Sequence, residues 1–109
     1  MVDWIEIARM EDLPRSGART LDTPQGPVAV FRTSGDEVFA LVNRCPHRGG
    51  PLSEGIVAGK VVVCPLHNWI IDLESGDAVA PDKGCTPSIP VKVVDGAVWL
   101  RSAAGVAVA

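Results

Sequence analysis

The sequence predicts an all-β fold, specifically a small antiparallel β-sandwich or partly open barrel. Its 109 residues include 11 glycines and 9 prolines, an excess that favours many turns and short strands over long helices. Short runs of β-branched and aromatic residues recur along the chain, and turn sequences such as Asp95-Gly96 separate them. The chain is long enough to bury a core, and 47% of its residues are hydrophobic. We therefore expect one domain spanning residues 1–109.

The expected elements follow in chain order. Residues 4–7 alternate weakly in polarity, and residues 10–13 predict one helical turn that ends before Pro14 and Gly17. The predicted strands are 28–32 and 37–42, joined by a turn in which Gly35 takes positive φ, then 60–63, 69–73, 91–94 and 97–100. Residues 44–57 and 78–90 are rich in glycine and proline, and long loops of this kind usually carry function.

Charge and composition exclude several functions. The net charge is −3, and the ten basic residues are scattered, so the basic patch that nucleic-acid binding requires is missing. No apolar run approaches the ~18 residues of a membrane span. The first residues include Asp3 and Glu6 where a secretory signal carries lysine or arginine, which predicts a cytoplasmic protein. Three cysteines in such a chain favour metal binding or redox chemistry over disulfides.

Cysteine and histidine cluster in two short segments. The chain has two histidines, and each closely follows a cysteine: Cys45 precedes His47, and Cys64 precedes His67. A proline after each cysteine stiffens the loop, so each loop can present one thiolate and one imidazole. Structural zinc sites usually pair Cys with Cys and His with His. The interleaved order suits a binuclear iron cluster with thiolates on one iron and imidazoles on the other; zinc remains the alternative.

The segments CPHRGGPLSEG (residues 45–55) and CPLH (residues 64–67) resemble the two ligand loops of Rieske [2Fe–2S] proteins. The resemblance implies one [2Fe–2S] cluster per chain, held in a small subdomain of about residues 44–73 on a β-sandwich base. It places Cys45 and Cys64 on the inner iron and His47 and His67 on the outer iron. These four are the expected cofactor-binding and metal-binding residues, and no residue is expected to be catalytic.

Residues beyond the second loop indicate the kind of Rieske protein. High-potential respiratory members carry an extra cysteine in each loop, and a serine and a tyrosine after the second loop. This chain has Trp69 and Ile71 there and no tyrosine, which predicts a low reduction potential because hydrogen bonds to the sulfurs raise it. The run HNW (residues 67–69) and the segment GCTPSIPV (residues 84–91) resemble the small subunit of assimilatory NAD(P)H-dependent nitrite reductase. Asn68 stands where glycine is usual, and Asn tolerates positive φ.

This second resemblance implies a non-catalytic electron-transfer subunit of an oxidoreductase that reduces nitrite to ammonium. Its partner would be a large subunit with FAD, a [4Fe–4S] cluster, sirohaem and the nitrite site. Two alternatives remain: a stand-alone Rieske-type ferredoxin that supplies an aromatic-ring-hydroxylating dioxygenase, and a redox-silent structural subunit. Among other residues, we expect Cys85 to be buried, Trp4 and Trp99 to lie in the core, and Trp69 to open a strand or to face a partner.

Overall fold

The computed structural model describes residues 3–23, 26–45, 51–65, 68–79 and 83–102. Over these ranges the chain forms antiparallel strands and two short 3₁₀ turns, Met10–Asp12 and Leu52–Glu54, with no α-helix and no closed barrel. The strands are β1 (Asp3–Arg9), β2 (Gly17–Thr23), β3 (Gly26–Arg32), β4 (Val38–Val42), β5 (Ile56–Ala58), β6 (Val61–Val63), β7 (Ile70–Asp72), β8 (Ser88–Ile89), β9 (Val91–Val94) and β10 (Ala97–Ser102). The predicted all-β antiparallel fold and the helical turn at Met10 are confirmed.

The strands form three sheets. Their orders are β1-β10-β9, β2-β3-β4-β8 and β5-β6-β7. The β9–β10 hairpin turns at Asp95 and Gly96, whose φ angles are 50° and 78°, the pair of positive values that a tight hairpin turn requires. The third sheet lies within the range predicted for the cluster-binding subdomain, and that subdomain and the single-domain boundary stay predictions.

Strand β3 is central because both of its faces are buried. Val28 and Val30 join one apolar cluster, which includes Val98 and Leu100 of the first sheet. Ala29 and Phe31 point to the opposite face and join a second cluster with residues of the third sheet. Alternate side chains of a strand point to opposite faces, so one strand connects both cores. The second cluster, which we call the lower core, contains Ala29, Phe31, Leu41, Cys45, Leu52, Val57, Val62, Cys64, Ile71 and Leu73.

Several local expectations were wrong. Strand β2 was not predicted, and β5 and β8 lie in the two stretches expected to be loops. These strands form because a neighbour supplies the hydrogen bonds: β2 pairs along β3, β5 along β6 and β8 with β4. In the β3–β4 turn the positive φ belongs to Asp36 (65°) and not to Gly35. Aspartate tolerates this conformation, and two nitrogens of the Arg32 side chain donate to its carboxylate.

Trp4 and Cys85, which were expected to be buried, lie at the surface, and Trp99, which was expected in the core, is partly buried. Trp4 is 37% exposed, and the Lys92 ammonium lies 4.4 Å from the centroid of its ring and 6.0 Å from that of Trp99. These residues therefore form a cation–π contact on the outer face of the first sheet. Cys85 is exposed, which corrects the expectation that it is buried. No helix in the described ranges is long and apolar enough to cross a membrane.

Candidate metal centre

The first candidate loop leaves the end of β4 and returns at β5. Cys45 lies three residues after Val42, the last residue of β4. The chain is anchored here because the Asn43 N–H donates to the Pro27 carbonyl at 2.9 Å and the Arg44 N–H donates to the Val42 carbonyl at 2.7 Å. The loop returns through the 3₁₀ turn Leu52–Glu54. The position of Cys45 is thus tied to β3 and to the end of β4.

The second candidate loop connects β6 to β7. Cys64 follows β6 directly, and its N–H donates to the Trp69 carbonyl at 2.7 Å. Val63 is paired with Ile70 at the base of this loop. Asn68 has a φ of 56°, which confirms the expectation that it takes the left-handed conformation. The two described ends of this loop are therefore held together by the Cys64–Trp69 hydrogen bond and the Val63–Ile70 pair.

Both candidate thiols point into the protein. Cys45 is 2% exposed and Cys64 is 1% exposed, and both belong to the lower core. Neither forms a disulfide. Trp69 is partly buried and packs against the same cluster, as expected of an aromatic residue next to a strand. Two buried thiols from separate loops can bind a metal group from the core side, and the apolar side chains around them exclude water from that side.

Gly55 brings the two loops together at their base. A Cβ atom at this position would overlap the carbonyl oxygen of Val63 and would lie 2.9 Å from Val62 Cγ2. The φ of Gly55 is −80°, so the need for glycine comes from this close approach and not from backbone strain. The end of the first loop therefore packs directly on the residue that precedes Cys64.

A third segment, around Thr86 and Pro87 in the glycine- and proline-rich stretch 78–90, borders the first loop. Thr86 is 3% exposed; its hydroxyl donates to the Val42 carbonyl at 3.0 Å and its N–H donates to the Gly76 carbonyl at 2.9 Å. The Val42 N–H in turn donates to the Pro87 carbonyl. Gly76 has a φ of 82°, and a Cβ atom there would overlap the Thr86 carbonyl oxygen. These bonds hold the proline segment against the strand that leads to Cys45.

The two candidate imidazoles are not located. His47 and His67 lie outside the described residues, and among the residues that are described no three His, Cys, Asp or Glu side chains gather as a metal site. The structure thus places Cys45 and Cys64 in the same apolar core, while the ligand set of two cysteines and two histidines stays a prediction. Sequence reasoning missed two anchors, the partly buried Asn43 and the buried Thr86, because the partners of each are distant in the sequence.

Comparisons with known proteins agree with this architecture. The model of the Rieske [2Fe-2S] domain family matches residues 3–90. The anthranilate 1,2-dioxygenase ferredoxin subunit of Burkholderia cepacia is 34% identical over 90% of this chain and 91% of that protein. The 4β-methylsterol monooxygenase of Methylococcus capsulatus is 36% identical over 67% of this chain and 22% of that protein. A solved structure described as a proposed NADH-dependent nitrite reductase small subunit from Mycobacterium tuberculosis has a TM-score of 0.83 and 22% identity, over 94% of this chain and 97% of that chain.

The described residues fit a [2Fe–2S] cluster of the Rieske type. Such a cluster takes two thiolates on one iron and two imidazoles on the other. The chain supplies the two thiols from the buried side, and each lies two or three residues before a histidine. The apolar surroundings of Cys45 and Cys64 are those that keep solvent away from the sulfurs.

Proposed function

The chain belongs to the Rieske [2Fe–2S] family and is a Rieske electron-transfer protein, and from that premise we propose that it is the electron-transfer small subunit of an assimilatory NAD(P)H-dependent nitrite reductase. In this proposal Cys45, His47, Cys64 and His67 hold one [2Fe–2S] cluster. The protein acts in the cytoplasm with a large subunit that carries FAD, a [4Fe–4S] cluster and sirohaem, and it has no catalytic residue of its own.

The ligand set is supported by what surrounds the two cysteines. Both thiols are buried in one cluster, and Gly55 and Thr86 hold the loops that carry them against the strands. A bound cluster of this kind takes up and releases one electron at a time. The chain's own contribution is to hold the sulfurs in an apolar, water-excluding site and to keep the loop bases rigid, which limits structural change when the charge of the site changes.

Overall identity does not separate the possible partners. The dioxygenase ferredoxin subunit and the sterol monooxygenase have similar identities to this chain, 34% and 36%, although the first matches over 91% of its length and the second over only 22%, and their names describe different proteins. Identity at this level therefore reflects the shared Rieske domain. A choice of partner has to rest on local sequence.

The segments beyond the second cysteine carry the nitrite reductase proposal. HNW (residues 67–69) and GCTPSIPV (residues 84–91) are the runs that resemble the nitrite reductase small subunit. In the structure Asn68 takes positive φ beside the second loop. Thr86 and Pro87 bond to Val42 at the root of the first loop. The described residues of both runs thus border the two loops that carry Cys45 and Cys64, and this position supports the use of these runs to distinguish subfamilies.

Growth of a deletion strain tests the proposal. A strain that lacks this chain is expected to fail on nitrite as sole nitrogen source, to grow on ammonium, and to recover on nitrite when the chain is restored. Affinity purification of the tagged chain is expected to bring down a large flavoprotein with sirohaem absorbance. Normal growth on nitrite, together with no such partner, would overturn the assignment.

A ferredoxin that supplies an aromatic-ring-hydroxylating dioxygenase is the second candidate. It is supported by the ferredoxin subunit of Burkholderia cepacia, which is similar to this chain over nine-tenths of both proteins. In that case the deletion strain keeps growing on nitrite, and the purified, reduced chain supports oxygenation of an aromatic substrate by an oxygenase component. The two candidates therefore give opposite growth phenotypes.

A further inference from the structure

Two hydrogen bonds join the Asn43 side chain to Ser53, ten residues further along the first candidate loop, and Cys45 lies between these residues in the sequence. The Asn43 Oδ1 accepts from the Ser53 N–H at 2.8 Å, and the Asn43 Nδ2 donates to the Ser53 Oγ at 2.9 Å. Asn43 lies two residues before Cys45, and Ser53 lies on the 3₁₀ turn by which the loop returns. We call this pair the Asn43–Ser53 clamp. It joins the outgoing and returning parts of the first candidate ligand loop.

Asn43 is the fixed side of the clamp. Its backbone N–H donates to the Pro27 carbonyl at 2.9 Å, so the residue is tied to the start of β3. Its side chain is partly buried, where exchange of the amide's partners for water is hindered. An amide that both donates and accepts toward one residue also sets the orientation of that residue, since each bond is directional.

Ser53 needs an external partner. The first N–H groups of a helical turn have no partner within the turn. Pro51, the residue before this turn, supplies no side-chain cap, and Asn43 bonds the Ser53 N–H instead. The neighbouring Leu52 is fully buried in the lower core, as is Cys45 at 2% exposure. The clamp therefore helps to keep Leu52 and Cys45 packed together in the lower core.

We propose that Asn43 is a positioning residue for the [2Fe–2S] cluster: through the Asn43–Ser53 clamp it holds the Cys45 loop closed and slows cluster loss. This inference rests on the proposed ligand set. Without the clamp, the loop opens more often at Ser53, and each opening exposes the Cys45 thiolate to water and to competing ligands. No electron or bond of the cluster is altered by Asn43 itself.

The test measures how fast the purified, loaded protein loses its visible cluster absorbance in excess iron chelator. Asn43→Ala removes two hydrogen bonds and is expected to accelerate the loss about tenfold or more. Asn43→Asp is the rescue variant, because a carboxylate accepts from both the N–H and the hydroxyl of Ser53. Its loss rate is expected to stay within about twofold of the wild type.

Thr33→Ala is the matched stability control. Thr33 is 2% exposed, and its Oγ1 accepts from the Glu37 N–H at 3.1 Å, in the turn at the end of β4 that lies farthest from Cys45. It is expected to lower the unfolding temperature while leaving the rate of cluster loss within about twofold of the wild type. The comparison separates loop closure from global stability.

Three outcomes are decisive. Fast cluster loss in Asn43→Ala alone, with Asn43→Asp and Thr33→Ala near the wild type, supports the proposal. Equal rates in Asn43→Ala and Thr33→Ala, in a protein whose Cys45→Ser variant fails to load, overturn the role of Asn43 and leave the ligand set intact. A wild-type chain that takes up no cluster under reconstitution overturns both the ligand set and the positioning role.

Discussion

Replacing Gly55 with alanine is expected to damage both the fold and the cluster site. The added Cβ would overlap the Val63 carbonyl oxygen and would approach Val62 Cγ2 to 2.9 Å. Side-chain rotation cannot relieve the first overlap, because the carbonyl belongs to the backbone of β6. Gly55 is also held from the other side, where its N–H donates to the Leu52 carbonyl at 3.0 Å.

The magnitude follows from this confinement. Forcing one extra methyl group into a packed site costs about 1–3 kcal/mol, and the rigid partner places Gly55→Ala at the upper end, about 3 kcal/mol. A domain of this size loses roughly 4 °C in Tm per kcal/mol, so Tm is expected to fall by roughly 12 °C. Because Val63 directly precedes Cys64, the variant is also expected to bind less iron per protein molecule after the same reconstitution procedure.

Thermal unfolding followed by circular dichroism measures the first effect, and iron analysis measures the second. Gly35→Ala is the matched control, since a Cβ there would meet only Thr33 Oγ1, at 3.9 Å, and the residue does not have positive φ. That variant is expected to be neutral or more stable by up to about 1 kcal/mol. A Gly55→Ala protein with the Tm and iron content of Gly35→Ala would refute the close-packing argument.

Three further predictions concern the ligands, an ion pair and the potential. Cys45→Ser and Cys64→Ser are each expected to remove nearly all bound iron, whereas the control Cys85→Ser, at an exposed thiol outside both loops, keeps it; retention of iron by either loop variant contradicts the ligand set. The pKa of Asp36 lies below its ordinary value of 3.8, chiefly because Arg32 donates hydrogen bonds to the carboxylate. The wild type should therefore have a higher free energy of unfolding than Asp36→Asn above pH 3.8, and this advantage should disappear as the pH falls through the lowered pKa. Denaturant unfolding at neutral and at strongly acidic pH measures the difference, and an equal difference at both pH values would refute the prediction. A redox titration is expected to give a potential near the bottom of the −150 to +300 mV Rieske range, because Trp69 and Ile71 stand where high-potential members carry serine and tyrosine; a midpoint above about +100 mV would contradict this.

The parts of the fold that could be predicted from sequence are those set by local chemistry. The β9–β10 hairpin follows from Asp95-Gly96, whose residues take the positive φ angles that the turn needs. The helical turn at Met10 ends before Pro14 as expected. Strands β2 and β8 escaped prediction because their sequences carry weak strand signals, and they form through pairing with β3 and β4.

The candidate site was predictable to the extent that chemistry clusters along the chain. Two histidines next to two cysteines indicate a metal centre, and the structure buries both thiols in one cluster. The supporting contacts were not predictable. Asn43 and Ser53 lie ten residues apart, and Thr86 reaches Val42 over 44 residues, so each depends on tertiary packing. Asn68 was predictable because one residue's φ is a local property.

An EPR spectrum of the dithionite-reduced protein, recorded together with iron and zinc analysis, is the most direct test of a histidine-ligated binuclear centre. Two irons per chain, no zinc and a rhombic signal with a low average g value are expected, because imidazole ligands on one iron lower the average g relative to all-thiolate clusters. The same measurement on His47→Cys and His67→Cys proteins should lose that low-g signal. Stoichiometric zinc, a mononuclear iron signal, or an unchanged spectrum in both histidine variants would contradict the assignment.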